Sequence, residues 1–112
     1  MNVNIKKVLI SVTTPIENAS EIRHALGEAG AGVIGNYSHC AITTEIIGTS
    51  KPNSESNPYI GTKNELTEIK EMKIEVECEI GKAKSVLKIL REIHPYEEPA
   101  IVIIPLIEEL NL

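Results

Sequence analysis

Apolar and charged residues alternate strictly from Met72 to Ile80, and this pattern restricts the folds open to the chain. The even-numbered residues of this stretch are apolar, and the odd-numbered ones are Lys73, Glu75, Glu77 and Glu79. Successive side chains of a β-strand point to opposite faces of its sheet. The stretch therefore predicts a strand with one face in a hydrophobic core and the other in solvent.

Three more segments are rich in the apolar and β-branched residues that favour strands. They are Lys6–Thr13, Tyr37–Gly48 and Ala100–Ile104. Pro99 and Pro105 bracket the last segment, and because proline cannot donate to a strand ladder, this strand is predicted at a sheet edge.

Two segments have helical periodicity. The first has apolar residues at Ile22, Ala25, Leu26 and Ala29, which follow the spacing of a helix face. It is expected to begin between residues 14 and 21, where Thr14 and Asn18 offer capping side chains, and to end at Gly30 or Gly32. The second begins near Ala83 and ends near His94, because Pro95 disfavours helical backbone in the residue before it.

The element order βαββαβ and the right-handed crossover rule predict an α+β fold. We expect one domain over residues 1–112, a ferredoxin-like sandwich with an antiparallel sheet of order 4-1-3-2 and both helices on one face. The last strand is apolar on both faces, and Leu9 points away from the helices. The open sheet face therefore favours a partner, so a homo-oligomer, either a dimer or a trimer, is expected.

Composition excludes several classes of partner. Among 112 residues there is no Trp or Phe, and the net charge is −5, so base-stacking platforms are excluded and nucleic acid and anionic lipid are repelled. The longest apolar run, Ala100–Ile104, is far shorter than the roughly 20 residues of a membrane span. We expect a cytoplasmic protein that binds neither nucleic acid nor membranes.

All sixteen acidic residues are Glu. Calcium loops built on Asp, Ser-His-Asp relays and the usual Asp-bearing magnesium sites are therefore excluded. Cys40 and Cys78 are too few for a disulfide scaffold and are expected to be free, buried thiols. Gly30–Gly35 matches the dinucleotide fingerprint formally, but a strand must precede that motif and a helix must follow it, which is the reverse of the order here.

Imidazole, thiolate and carboxylate groups suit zinc or copper. A divalent metal is therefore a candidate cofactor, with His39, His94 and Glu97 as candidate ligands. The predicted topology puts His39 and His94 at opposite ends of the sheet, so only a contact between subunits could unite them. If Cys40 pairs near Cys78, both thiols face the core and His39 lies on the open face, beside Glu77 or Glu79.

The segment from Thr49 to Asn64 is longer than a typical hairpin connection and is rich in Ser, Asn, Pro and Gly. Two interpretations remain open. The segment is either a mobile tip or an adaptable arm that closes on a ligand or partner.

Three blocks together resemble a known family. They are Gly30–Cys40 (GAGVIGNYSHC), Asn57–Gly61 (NPYIG) and His94–Ala100 (HPYEEPA). They resemble the domain inserted in YqfO-type members of the NGG-one-interacting factor three family, and the chain resembles a standalone version of that insert. The last block is also similar to the end of the CutA divalent-cation-tolerance proteins, which are trimers. The resemblance implies a PII-like or CutA-like fold, while the family's metal centre and proposed GTP cyclohydrolase activity belong to flanking domains.

One departure from the family is that an aromatic residue usually follows the Gly-Thr of the hairpin, where this chain has Ser50.

The functional hypothesis is a non-enzymatic, oligomeric module, with a regulatory role, that binds a small ligand or a divalent metal at subunit junctions. The candidate ligand-binding residues are Tyr37, His39, Cys40, His94, Tyr96, Glu97 and Glu98. Two alternatives are a scaffold for a protein partner and a small enzyme that uses His94 and Glu97 as acid and base.

Overall fold

The computed structural model describes residues 4–112, so residues 1–3 of the predicted domain lie outside it. The elements are β1 (Lys7–Pro15), a 3-10 turn (Ile16–Asn18), α1 (Ala19–Glu28), β2 (Ile42–Ser50), β3 (Thr67–Glu79), α2 (Ile80–Ile93), β4 (Ile101–Leu106) and a second 3-10 turn (Glu109–Asn111). No helix in residues 4–112 is both long and apolar enough to cross a membrane.

The four strands form one antiparallel sheet with the order β2-β3-β1-β4. The predicted α+β ferredoxin-like topology is therefore confirmed, since this order is the expected 4-1-3-2 read from the other edge. Strand β4 lies at an edge and pairs with β1, where Pro105 is opposite Val8. A proline is tolerated at this position because the outer side of an edge strand needs no ladder hydrogen bonds.

The core lies between the sheet and the two helices, and it is aliphatic. Even-numbered residues of β1 and β3 face the helices, which cover them with apolar side chains of their own. The central buried residues are Val8, Ile10, Val12, Ile22, Leu26, Ile74, Val76, Val86 and Leu90. Cys78 is also buried there, whereas Cys40 is only half-buried, and both are free thiols.

Element boundaries differ from the prediction where backbone pairing overrides local pattern. Strand β3 begins at Thr67, five residues earlier than expected, because its first residues pair with the end of β2. Strand β2 begins at Ile42, because Tyr37 closes a tight turn through two backbone hydrogen bonds with Ile34. Helix α1 begins inside the expected window, but no side chain makes a capping hydrogen bond there.

The open face of the sheet is mixed in character. Leu9 is opposite Ile104 on one side and Glu77 on the other. The aliphatic part of the open face continues from Leu9 along β4, where Val102 is 54% exposed and Ile104 is 45% exposed. The charged residues of β3 run along the middle of the face and separate this aliphatic surface beside the β4 edge from Ile42, which is 67% exposed at the β2 edge.

Candidate functional site

A cavity of about 430 Å³ lies on the open face of the sheet, where β1 ends and the connection between β2 and β3 folds back. Strand residues form its floor, the connection 51–66 forms one wall, and the segment 94–100 forms another. Its lining is mainly apolar and includes Ile46, Pro52, Pro58, Tyr59, Ile60, Ile69 and Ala100.

A buried carboxylate lies in the floor of this cavity. Glu71 is only 6% exposed, although it projects from β3 on the open face. Its Oε2 accepts a hydrogen bond of 2.6 Å from the Tyr96 hydroxyl. Its Oε1 lies where a side chain at Gly48 would stand, so any Cβ there would overlap the carboxylate. The absence of a side chain at Gly48 thus makes room for a carboxylate that lines the cavity.

His94 lies behind Tyr96 and fixes the start of this wall. Its Nδ1 accepts a hydrogen bond of 3.1 Å from the Tyr96 backbone N–H. The ring proton must therefore be on Nε2, which donates to the Thr13 carbonyl at 2.8 Å. Burial lowers the pKa of His94, with partial opposition from the Thr13 carbonyl and the negative charge of Glu71. His94 is therefore a neutral imidazole with both nitrogens engaged.

Tyr96 remains a hydrogen-bond donor over the whole physiological pH range. Its pKa is raised, first by burial and then by its hydrogen bond to the Glu71 carboxylate. The Tyr96 ring packs against His94 with a centroid separation of 4.9 Å. This tilted ring contact and the hydroxyl bond to Glu71 hold the ring in place.

The connection 51–66 is fastened to the segment 94–100. The Asn57 backbone N–H donates to Glu97 Oε2 at 2.8 Å, and the Tyr59 ring lies 6.1 Å from the Tyr96 ring. The lining includes the carboxylates of Glu71, Glu97 and Glu98 but the single cation of Lys51. The cavity is therefore apolar in its walls and negative in its charge balance.

The structure separates the candidate site residues into two groups. Tyr96, Glu97 and Glu98 line the cavity, and His94 supports it from behind. Tyr37, His39 and Cys40 lie toward the other end of the sheet, where Gly32 joins Cys40 to Glu77 of β3 through backbone hydrogen bonds.

The sequence places His39 on the open face if Cys40 pairs near Cys78. In the structure, His39 does not lie on that face. Its ring packs over Gly27 of helix α1, with no room for a side chain at that glycine. The pairing of Cys40 near Cys78 on which that prediction depended does not form, because residues 39 and 40 precede β2 and His39 has a left-handed backbone with φ of 59°. Strand alternation does not apply there.

Glu71 is the residue of the cavity that sequence reasoning missed. It lies one position before the predicted start of the strand and has the same parity as the solvent-facing Lys and Glu row. The hydroxyl of Tyr96, which donates to Glu71, and the missing side chain at Gly48, which makes room for the carboxylate, distinguish Glu71 from that row.

Comparisons with known proteins agree with this fold. No family model matches the chain. It is 42% identical over 98 residues to the GTP cyclohydrolase 1 type 2 homolog of Halalkalibacterium halodurans, an alignment that covers 88% of this chain and 26% of the relative. The protein of the same name from Bacillus subtilis is 42% identical over 96 residues, with 86% and 26% covered. The chain thus spans about a quarter of the length of the curated relatives it matches.

Solved structures give the same result. The Bacillus cereus protein related to NIF3 matches with a TM-score of 0.80 and 35% identity, over 95% of this chain and 27% of that one. CutA from Synechococcus elongatus matches with a TM-score of 0.71 and 16% identity, over 95% and 81% of the two chains. The second match shows the fold alone. The chain is therefore homologous to one segment of the NIF3-related GTP cyclohydrolase 1 type 2 homologs, and it has the fold that this segment shares with CutA proteins.

Proposed function

We propose that this chain is a non-enzymatic, oligomeric module with a regulatory role that binds a small organic ligand in the cavity above Glu71. The buried Glu71 carboxylate is the observation that carries the proposal. Removing a carboxylate from water costs free energy, and one hydroxyl donor meets only part of its bonding capacity. A site that retains such a group inside an apolar cavity favours a ligand that donates to it.

The charge balance indicates the class of ligand. Three carboxylates and one lysine line an otherwise apolar cavity. An amine or another hydrogen-bond donor would complement Glu71, and an apolar body would fit among Ile46, Ile60 and Ile69. A carboxylate or phosphate ligand would meet like charge.

Assembly of identical subunits would complete the same site. The aliphatic part of the open face at Leu9, Val102 and Ile104 lies on the same face as the cavity. The radius of gyration is 15.6 Å, whereas a compact domain of this length has a value of about 13 Å. The chain is therefore extended for its length and has more surface to offer a second copy. A second copy that covers the open face would bury this surface and close the cavity, which would place the ligand at a subunit junction.

The enzyme alternative has weaker support from the same geometry. Both nitrogens of His94 are engaged by backbone groups, and Glu97 accepts a backbone N–H from the connection 51–66. Neither group is free to exchange a proton with a substrate without breaking the wall of the cavity. The second alternative is a scaffold for a protein partner. Such a partner would dock on the same open face of the sheet, beside β4.

Thermal unfolding with a matched set of probes tests the proposal. The probes are 2-phenylethylamine, 3-phenylpropanoate and 2-phenylethanol, which share an aryl body and differ in charge. We expect the amine to raise the melting temperature of the wild-type protein in a saturable way, and the carboxylate to leave it unchanged.

Two variants complete the experiment. Glu71→Gln keeps the size of the side chain and is expected to remove the effect of the amine. Glu68→Gln removes the same charge from an exposed residue of β3 that does not line the cavity, and it should retain the effect. Equal responses of the two variants, or equal effects of amine and carboxylate, would contradict the proposal.

A further inference from the structure

A second cluster of polar side chains lies apart from the cavity, on the outer surface of helix α1. His24 and Glu28 are one helical turn apart on α1, and His39 approaches them from the segment before β2. His24 Nε2 lies 3.3 Å from Glu28 Oε1, and His39 Nε2 lies 3.9 Å from Glu28 Oε2. One ligand atom from each residue can be chosen so that all three lie within 4.8 Å of one another.

These separations approach those of a metal centre. Ligand atoms about 2.0–2.1 Å from a tetrahedral ion are roughly 3.3–3.4 Å apart. The His24 and Glu28 atoms already have this spacing, and His39 requires only a small rotation of exposed side chains. Two imidazoles and one carboxylate are a ligand set that zinc and related transition metals use, with a water molecule in the remaining position.

The backbone holds His39 in this position. Its φ of 59° is in the left-handed region, which His tolerates better than most residues. Its ring lies against Gly27, where any Cβ would overlap the imidazole. Backbone hydrogen bonds from Cys40 to Gly32 and from Gly32 to Glu77 fasten the segment to the sheet. The approach of His39 to the helix is therefore built into the fold.

Ser38 supports the tautomer that a metal requires. Its Oγ lies 2.8 Å from His39 Nδ1. When Nδ1 carries the proton and donates to this oxygen, the lone pair of Nε2 is directed to Glu28. Metal-binding histidines commonly have such a partner on the other ring nitrogen. His94, the third histidine of the chain, has no nitrogen to offer because both are bonded to backbone groups.

We propose that His24, Glu28 and His39 together bind one divalent transition-metal ion of the zinc class. This site is independent of the cavity above Glu71 and uses none of its residues. It joins the last turn of α1 to the segment that leads into β2, so binding would stabilise that junction.

Titration calorimetry with zinc chloride on untagged protein tests the site, with magnesium chloride as the hard-ion comparison. We expect one zinc ion per chain and no saturable heat from millimolar magnesium, which prefers oxygen ligands. Cobalt binding should give the visible absorption of a tetrahedral complex. Absence of saturable zinc binding, or magnesium binding of equal strength, would overturn the proposal.

Matched variants assign the ligands. His24→Gln preserves helix propensity, and His39→Asn preserves tolerance of the left-handed backbone. Loss of a residue that only hydrogen-bonds to a metal ligand typically weakens metal affinity by roughly 10–100-fold. Each of these variants, and Glu28→Gln, removes a ligand itself and should weaken zinc affinity by at least that much. Ser38→Ala should weaken it by about tenfold.

Two control variants distinguish this site from zinc binding by neighbouring side chains. Glu21→Gln removes an exposed carboxylate of the same helix, and Cys40→Ser removes the neighbouring thiol. Both should bind zinc like the wild type. Loss of binding in Cys40→Ser, or retention of binding in the His24→Gln/His39→Asn double variant, would show that the metal uses different ligands and would overturn the assignment.

Discussion

The Tyr96 hydroxyl donates a 2.6 Å hydrogen bond to Glu71 and thereby joins the segment before β4 to the middle of β3. Removing the hydroxyl leaves a buried carboxylate without this donor. We expect Tyr96→Phe to lower the free energy of unfolding by about 1–3 kcal/mol, measured by urea denaturation. Tyr37→Phe is the control, because Tyr37 is 75% exposed and its change should be near zero. Equal effects of the two substitutions would contradict a structural role for this hydrogen bond.

Gly48 is expected to be intolerant of a side chain. A Cβ there would overlap Glu71 Oε1, so Gly48→Ala must displace a carboxylate that Tyr96 holds. We expect a loss of about 1–3 kcal/mol of stability, typical of overpacking. Gly81→Ala is the matched control, because nothing lies near its added methyl group and alanine favours the helix there. A Gly48→Ala protein as stable as the wild type would show that the carboxylate is free to move.

Stability should decrease in mild acid because of His94. Burial lowers the pKa of His94 below its usual value of 6.5, so between these two pKa values the unfolded chain binds the extra proton. The contribution of neutral His94 to the free energy of unfolding is therefore fully present above pH 6.5, and it is lost as the pH decreases through the folded-state pKa. Urea midpoints at pH 7.5 and pH 5.5 measure the effect. His94→Gln should be less stable at pH 7.5 but should show a smaller decrease between the two values, and a decrease of unchanged size would assign the effect to other groups.

The fold was accessible from the sequence because alternation and helical periodicity each reported a single buried face. The positions of Ile74, Val76, Val86 and Leu90 in the core follow directly from such patterns. The cavity could be predicted from the sequence only in part. The segment His94–Ala100 was identified as a candidate site, but Glu71 has the parity of solvent-facing residues, and its burial depends on a tyrosine 25 positions away. Periodicity cannot report a contact of that kind.

The position of His39 could not be predicted from the sequence, for a different reason. A strand pattern assigned it to the open face, whereas a left-handed residue directs its ring to helix α1. His24 and Glu28 have the helical i, i+4 spacing that could have indicated a shared face. The pairing with His39 depends on how the segment before β2 returns across the helix end.

The connection 51–66 should depend on Glu97. Glu97→Ala removes the acceptor for the Asn57 backbone N–H, so we expect faster hydrogen exchange at Asn57 and faster proteolysis within the connection. Glu98→Ala provides the control at the neighbouring residue. Exchange at Asn57 that is unaffected by Glu97→Ala would mean that other contacts hold the connection in place.

Assembly should depend on the β4 edge. Light scattering coupled to gel filtration is expected to give a multiple of the 12.3 kDa chain mass for the wild type. The double variant Val102→Glu/Ile104→Glu should give the mass of one chain, because it places two charges on the aliphatic part of the open face. Val33→Glu, at an exposed residue outside the sheet, should leave the assembly unchanged. A monomeric wild type would contradict the proposed junction.

The cavity above Glu71 is proposed to bind a small ligand through its buried carboxylate. Amide chemical shifts of the ¹⁵N-labelled protein, recorded during titration with 2-phenylethylamine, measure this binding at individual residues. We expect saturable shifts at Gly48, Thr49 and Ile60, which line the cavity, and their loss in Glu71→Gln but not in Glu68→Gln. Shifts that are absent from the cavity, or unchanged by Glu71→Gln, would contradict it.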